Sequence, residues 1–251
     1  MRQRLVATRV IMHCPACTEI NTRHCERFQS MPTPRPEAPT KAVTIVCISD
    51  THELHREVDV PRGDILVHAG DFTMFSRSIT AIRNFNEWLG ELPHQHKIVV
   101  PGNHEFFLEA DPTKRLMISN ATMLIDESVE VMGLKIWGSP ITLLAGGAFG
   151  KSFPADRVKL YSQIAEDTDV LITHGPPMGI LDRSPGVVHH AGCPELLDVV
   201  IRIQPKLHIF GHIHGAHGVV SAGQTLFVNA ALLGVEGGVG AIPIVLRIPS
   251  I

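Results

Sequence analysis

Five short apolar segments of this chain each end in a cluster of Asp, Asn or His residues beside a glycine, and this pattern constrains the fold most. Apolar runs of this length are typical of buried β-strands. Amphipathic helical patterns, such as Ser78–Leu92 and Pro194–Ile203, lie between some of them. The combination predicts an α/β fold with layered sheets covered by helices. The segments are Val43–Ser49, Ile65–Ala69, Lys97–Val100, Val170–Thr173 and Leu207–Phe210.

Residues 42–251 are expected to form one domain. Val129–Gly138 alternates between apolar and polar residues and contains Gly133, which predicts a β-hairpin. Further strands are expected at Thr225–Val228 and Ile244–Leu246. A length of 251 residues suits one such domain with a short tail. The chain has no uninterrupted apolar stretch of about 18 residues, so no membrane-spanning helix is expected.

Residues 1–41 differ in composition from the rest and are interpreted as an N-terminal extension with a proline-rich linker, expected to be poorly ordered. Cys14-Pro-Ala-Cys17 and His24-Cys25 would suit a small zinc site, or they are incidental cysteines. Met31, just before the linker, is a possible true start. The arginine-rich beginning loosely resembles a transit peptide. The sequence leaves these alternatives open.

Charge and cysteine content argue against several classes of protein. The net charge is −3 and the pI is about 6.6, so neither nucleic-acid binding nor binding to a membrane surface is expected. Only Cys47 and Cys193 of the five cysteines lie in the main domain, which does not resemble a disulfide framework. A reducing, cytoplasmic location is therefore expected.

The polar clusters that follow the strands predict a single site. The carboxyl ends of parallel strands meet at one edge of a sheet, and ligands of open α/β sheets bind there. A single histidine after a strand is usually structural, but five such clusters together are hard to obtain by chance. The clusters are Asp50-Thr-His52, Gly70-Asp71, Gly102-Asn103-His104-Glu105, His174-Gly175 and Gly211-His212-Ile-His214.

These side chains suit divalent metal ions. Imidazole nitrogen with carboxylate and amide oxygen is compatible with Mn, Fe, Zn, Co or Ni, of which Mn is favoured here. These clusters offer too many ligands for one ion, whereas two ions that share a carboxylate would use seven of them. Paired ions about 3.5–4 Å apart clamp a phosphoryl group and lower the pKa of the water between them. The expected reaction is therefore phosphoester hydrolysis by a metal-bridging hydroxide.

The same clusters resemble the calcineurin-like metallophosphoesterases, whose motifs occur in this order. The runs Gly63–Asp71, Phe85–Gly90, Thr173–Pro177 and Pro205–Gly211 are similar to the metallophosphoesterase-domain-containing group. Members of that group are metal-dependent phosphodiesterases of cyclic nucleotides and model diesters. The resemblance implies a four-layer α/β/β/α sandwich, with the site at the C-terminal ends of the strands. It also implies a small phosphate-ester substrate, expected to be a nucleotide, and leaves the oligomeric state open.

The resemblance also implies a role for each candidate residue. His104 would not bind metal but would contact the phosphate or protonate the leaving oxygen, and Asn103 would also contact substrate. Asp71 would bridge two ions. The remaining ligands would be Asp50, His52 and His214 for the first ion, and Asn103, His174 and His212 for the second.

Two departures from related proteins bear on the activity. Protein Ser/Thr phosphatases of this superfamily follow the Gly-Asp motif with Asp-Arg-Gly, whose arginine clamps phosphate. Here Gly70-Asp71 is followed by Phe72-Thr-Met-Phe75, which argues against a protein phosphatase. Some vertebrate members of the group carry glycine at the position of His212. Because this chain keeps His212, a full second metal site is expected.

Other readings stay open from the sequence. A nucleotide phosphomonoesterase would use the same metal ligands, and a non-catalytic scaffold of the same fold is the second alternative. Glu105 is interpreted as structural, and His68 and His208 as core residues of their strands. His94 is expected on a solvated turn. His189-His190 lie in a loop that would overhang the site.

Overall fold

The computed structural model describes residues 42–75, 79–234 and 237–250. The predicted N-terminal extension, with Cys14, Cys17, His24, Cys25 and Met31, lies outside the described residues. The proposed domain boundary therefore stays a prediction. In the described part of the chain, no helix is long and apolar enough to cross a membrane.

Eleven strands and four α-helices make up the regular structure of the described residues. The strands are β1 Ala42–Ile48, β2 Ile65–His68, β3 His96–Val99, β4 Thr122–Met123, β5 Glu127–Val131, β6 Leu134–Ser139, β7 Val170–Thr173, β8 Leu207–Phe210, β9 Gly218–Ala222, β10 Thr225–Asn229 and β11 Ile244–Pro249. The helices are α1 Ile79–Glu91, α2 Phe106–Ala110, α3 Pro154–Tyr161 and α4 Pro194–Ile203. Short 3-10 helices lie at His55–Glu57, Pro112–Met117 and His214–Ala216.

The strands form two sheets with parallel centres. The first sheet has the order β11-β1-β2-β3-β4 and the second the order β5-β6-β7-β8-β10-β9. β1 to β4 are parallel to one another, and so are β6, β7, β8 and β10. β11, β5 and β9 are antiparallel edge strands. The parallel centres bring several strand ends to the same edge of the molecule.

Side-chain alternation along the strands builds four layers. In β1, Ile45 and Cys47 belong to the apolar core shared by the two sheets, whereas Val46 and Ile48 pack with α1 on the other face. The second sheet likewise turns alternate residues toward a cluster that includes α4 and Tyr161 of α3. This period of two follows from strand geometry. The predicted α/β/β/α architecture is confirmed.

Two elements and one side-chain position were not predicted from the sequence. α3 begins with Pro154 at a favourable first-turn position, but its sequence has only a weak apolar face. β4 is only two residues long. His94 is buried, and its Nε2 lies 3.0 Å from the carbonyl of Pro61, so the expected solvated position was wrong.

Candidate metal centre

The candidate site lies where β1, β2 and β3 of the first sheet end beside β7 and β8 of the second. Hydrogen bonds join the two sheets at this point. The Nδ1 of His174, after β7, lies 2.9 Å from the carbonyl of Ala69, after β2. The backbone N–H of His212, after β8, donates to both carboxylate oxygens of Asp50, after β1, at 2.9 and 3.1 Å. Strand ends far apart in sequence therefore form one cluster.

A first group of ligand atoms comes from Asp50, His52 and His214, and these atoms all lie within 4.8 Å of one another. The Nε2 atoms of the two histidines are 3.3 Å apart. The Nε2 of His214 is also 3.3 Å from Oδ1 of Asp50. Asp50 is fully buried and the His214 side chain is 29% exposed, so the group opens to solvent on the His214 side.

A second group comes from Asp71, His174 and His212, again with all ligand atoms within 4.8 Å. The Nε2 of His174 lies 3.2 Å from Oδ2 of Asp71 and 2.9 Å from Oδ1 of Asn103. Asp71 Oδ2 also lies 3.8 Å from the Nε2 of His52 in the first group. The carboxylate of Asp71 therefore stands between the two groups.

The ring orientation of several histidines suits metal binding. The Nδ1–H of His52 donates to the carbonyl of Thr73 at 3.1 Å, and that of His174 donates to Ala69. When Nδ1–H donates to a backbone carbonyl, the neutral ring offers its Nε2 lone pair to an ion, which is the usual arrangement of a metal-binding histidine. Both Nε2 atoms lie beside Asp71. The donor set therefore fits a divalent ion at each group.

The electrostatics of the cluster also favour cations. Burial alone would raise the pKa of Asp50, but its hydrogen bond to His214 and the charge of His174 hold that pKa below its ordinary value. Burial alone would lower the pKa of His174, yet the Asp71 carboxylate raises it to about 10. A proton on buried His174 thus neutralises carboxylate charge where a divalent ion would do so instead.

Four of the candidate ligands have left-handed backbone conformations. The φ angles are 53° for Asp50, 40° for His52, 54° for Asp71 and 68° for His212. This region is sparsely populated by residues other than glycine, and such strain is concentrated at functional sites. The surrounding hydrogen bonds hold the conformations, since the backbone N–H groups of Asp50 and His52 donate to the carbonyls of Gly70 and Asp71.

Two glycines of the clusters are required by close approach. A Cβ atom at Gly211 would collide with the carboxylate of Asp50, and one at Gly102 would collide with Asp71 and His174. Any larger residue would push the ligands apart. Glycine at these two positions is therefore explained by the space that the ligands occupy.

His104 lies at the edge of the cluster. Its Nε2 is 3.8 Å from Oδ2 of Asp71, its side chain is 21% exposed, and its Nδ1–H donates to the carbonyl of Met74. Its ring stacks on that of Phe75, with centroids 4.7 Å apart. His104, His52 and Asp71 also form a group with ligand atoms within 4.8 Å. Distance alone therefore does not separate His104 from the ligands, and its non-ligand role stays a prediction.

Comparison with known proteins agrees with this geometry. The calcineurin-like phosphoesterase family model matches residues 43–216, which span all the clusters. The chain belongs to the calcineurin-like phosphoesterases. It is 37% identical over 254 residues to human metallophosphoesterase domain-containing protein 1, covering 90% of this chain and 77% of the relative. It is also 40% identical over 226 residues to a Caenorhabditis elegans UPF0046 protein, covering 84% of this chain and 77% of that one.

A solved structure shares the fold of this calcineurin-like phosphoesterase. The TT1561 protein of Thermus thermophilus superposes with a TM-score of 0.51 at 14% identity, covering 75% of this chain and 89% of that one. The family implies metal-dependent hydrolysis of phosphoesters. The two groups of His and Asp side chains are able to hold the metal.

Glu105 connects two of the loops that carry ligands. The sequence predicted a structural role for this residue but not its contacts. It is fully buried, and its carboxylate accepts hydrogen bonds from the backbone N–H groups of Asp71 at 3.0 Å, Thr73 at 2.9 Å and Gly102 at 2.6 Å. The Thr73 hydroxyl also donates to it at 2.8 Å. Burial and the Asp71 carboxylate raise the pKa of Glu105 to about 7. One side chain thus fixes the loop after β2 against the loop after β3.

Glu105→Gln is expected to lower the free energy of unfolding by about 2–4 kcal/mol, because an amide cannot accept from all four donors and leaves buried N–H groups unpaired. Chemical denaturation of the metal-free protein measures the effect. Glu87→Gln, at an exposed position of α1, is the matched control and should change stability by less than about 0.5 kcal/mol. Equal stability of Glu105→Gln and wild type would refute the loop-joining role.

The loop after His174 makes contacts of its own. His190 Nδ1 lies 2.8 Å from Oδ1 of Asp182, whose Oδ2 accepts from the N–H groups of Gly179 and Gly192. A Cβ atom at Gly215 would meet the Ser184 hydroxyl at 2.6 Å, so this loop packs beside the loop that carries His214. Contact of His189 or His190 with substrate stays a prediction.

Proposed function

We propose that this chain is a two-metal phosphodiesterase that hydrolyses cyclic nucleotides or related diesters. When bound, the ions would supply positive charge for the phosphate oxygens and a water of lowered pKa. Support comes from the two ligand groups and from the position of Asp71 between them. The first ion would be held by Asp50, His52 and His214, the second by Asn103, His174 and His212, and both by Asp71.

His104 is proposed to assist the leaving group. Its Nδ1–H is engaged by the Met74 carbonyl, so Nε2 is the atom that faces the cluster. A proton held at Nε2 would be passed to a departing alkoxide, or would bind a phosphate oxygen. The partial exposure of the ring leaves it accessible to a substrate. Asn103 is proposed to contact the substrate as well.

The observation that favours a diester is the contact between Phe75 and His104. Protein phosphatases of this superfamily place a phosphate-clamping arginine in this segment. Here an aromatic ring, 48% exposed, stacks on the proposed acid instead. A diester carries one negative charge at neutral pH and a monoester about two, so a diester has less need of such a cation. Arg77, the next basic residue along the chain, lies outside the described residues.

A panel of esters tests the proposal on the full chain reconstituted with Mn²⁺. It contains 2′,3′- and 3′,5′-cyclic nucleotides, bis(p-nitrophenyl) phosphate and p-nitrophenyl phosphate. We expect kcat/KM for at least one diester to exceed that for the monoester by about tenfold or more, which corresponds to about 1.4 kcal/mol. A preference for monoesters would establish the phosphomonoesterase alternative. No hydrolysis of any ester would favour a scaffold.

Metal content is measured on the same preparation. Two ion sites predict about two Mn²⁺ per chain by elemental analysis and loss of hydrolysis on treatment with a chelator. Activity that survives at zero or one bound ion would contradict the two-ion scheme. A variant protein beginning at Met31 separates these sites from any zinc bound by the N-terminal cysteines.

A further inference from the structure

Two buried histidines lie behind the candidate ligands and are not part of the site described above. His68 is the last residue of β2 and His208 lies in β8, and both are fully buried. The Nε2 of His68 is 3.0 Å from the Thr51 hydroxyl, and that of His208 is 2.9 Å from the Thr173 hydroxyl. Thr51 stands between two proposed first-ion ligands in sequence, and Thr173 directly precedes a second-ion ligand. The two sheets thus carry matching Thr–His pairs.

Both imidazoles sit in aromatic surroundings. The His68 ring lies 5.1 Å from that of Phe85, and the His208 ring lies 5.0 Å from that of Phe210. Neither Nδ1 has a hydrogen-bond partner among the described residues. A buried polar atom without a partner destabilises the fold, and a phenylalanine would fill the same space without that cost. Histidine rather than phenylalanine at these two positions therefore indicates that the Nε2 hydrogen bonds have a function.

The proton positions are determined for the pair in the second sheet. Burial lowers the pKa of His208 to about 3, so the ring is neutral and carries a single N–H. The Thr173 hydroxyl donates its only proton to the carbonyl of Gly175 at 2.7 Å. His208 must then donate from Nε2 to the Thr173 oxygen. The Thr173 hydroxyl thus accepts a hydrogen bond from His208 and donates one to the Gly175 carbonyl, and the backbones of Thr173 and Gly175 flank His174.

We propose that the Thr51–His68 and Thr173–His208 pairs are positioning pairs, each of which fixes the backbone of ligands to one of the two ions. The inference rests on the proposed two-ion site. His174 receives its ring orientation from Ala69, while the Thr173–His208 pair closes the turn around it through Gly175. In the first sheet, the hydrogen bond between the His68 ring and the Thr51 hydroxyl fixes Thr51 between two residues with left-handed backbones, Asp50 and His52.

The test measures Mn²⁺ binding by titration calorimetry on the metal-stripped full chain. Partners in the second coordination shell are typically worth 10–100-fold in metal affinity. Thr173→Val is therefore expected to weaken one of two binding steps by about 10–100-fold and to change the other by less than about threefold. Thr51→Val is expected to weaken the other step by the same range. Thr173→Ser keeps the hydroxyl and should bind Mn²⁺ with wild-type affinity in both steps.

Double variants separate positioning from fold stability. In Thr173→Val/His208→Phe and Thr51→Val/His68→Phe, no buried donor of either pair is left unpaired, so unfolding should occur closer to the wild-type temperature than in the single threonine-to-valine variants. The loss in ion affinity should nevertheless persist. Thr225→Val is the matched control, since Thr225 is buried at the opposite end of the second sheet. It should bind both ions as wild type does.

A third comparison assigns each pair to its ion. His212→Ala should remove the second ion, and adding Thr173→Val to it should leave the remaining affinity unchanged. Adding Thr51→Val should instead weaken that affinity by about 10–100-fold. Wild-type ion affinity in both Thr173→Val/His208→Phe and Thr51→Val/His68→Phe would overturn the inference while leaving the two-ion site intact. A wild-type chain that binds fewer than two ions would overturn the proposed function, and this inference with it.

Discussion

Asp71→Asn is expected to abolish the binding of both ions and to lower kcat by about 10³–10⁵-fold, the largest effect of any single ligand substitution. The Asp71 carboxylate lies close to ring nitrogens of histidines from both groups, at 3.2 Å from Nε2 of His174 and 3.8 Å from Nε2 of His52. The amide keeps the shape of the carboxylate but removes its charge. A metal centre supplies several kcal/mol of charge stabilisation to the transition state, and each 1.36 kcal/mol is about tenfold in rate.

The measurements are metal content and turnover of a phosphodiester by the Mn²⁺-loaded protein. Asp169→Asn is the matched control, because Asp169 lies just before β7, at the end opposite His174, and accepts from the backbone of Lys135. It should keep two ions. A greater loss of turnover in Asn103→Ala or His52→Ala than in Asp71→Asn would require another residue to be the bridge.

His104→Ala is expected to leave two ions bound and to lower kcat by about 10²–10⁴-fold on a cyclic nucleotide, the usual scale for a positioned proton donor. An alkoxide leaving group needs a proton. A p-nitrophenolate leaves without one, so the same variant should hydrolyse bis(p-nitrophenyl) phosphate at nearly the wild-type rate. His96→Ala, at the other end of β3, is the control and should match wild type on both esters.

The contrast between the two esters decides the role of His104. Equal losses on both substrates would indicate a phosphate contact rather than an acid. Loss of an ion from His104→Ala would make His104 a ligand, as its grouping with His52 and Asp71 geometrically permits.

The sequence was most informative about the buried strands. The buried strands at β1, β2, β7 and β8 follow from their apolar runs, and parallel pairing then puts their polar ends at one edge. Their place in the sequence also separates His68 and His208, inside the apolar runs, from His174 and His214, beyond the ends of the runs. These assignments need only the extent of each apolar run.

Long-range contacts were not predictable from the sequence. Nothing local indicates that the carboxylate of Glu105 receives N–H groups from two separate loops, since these contacts are up to 34 residues apart. The buried position of His94 likewise depends on Pro61, which is 33 residues away. The left-handed backbones at four ligands could not be predicted, because the residues are not glycines and tertiary hydrogen bonds impose the conformation.

The left-handed backbone at His212 is a conformation that glycine adopts without strain. A left-handed residue other than glycine costs about 1–2 kcal/mol, whereas glycine costs about 0.5–1 kcal/mol through its greater freedom in the unfolded chain. A change to glycine at φ 68° thus costs the fold little, and the backbone N–H that holds Asp50 remains. A lineage that no longer needs catalysis has a one-residue path to a folded protein lacking this ligand. His212→Gly is therefore expected to remove one side chain of the second ligand group while leaving the fold nearly as stable as wild type.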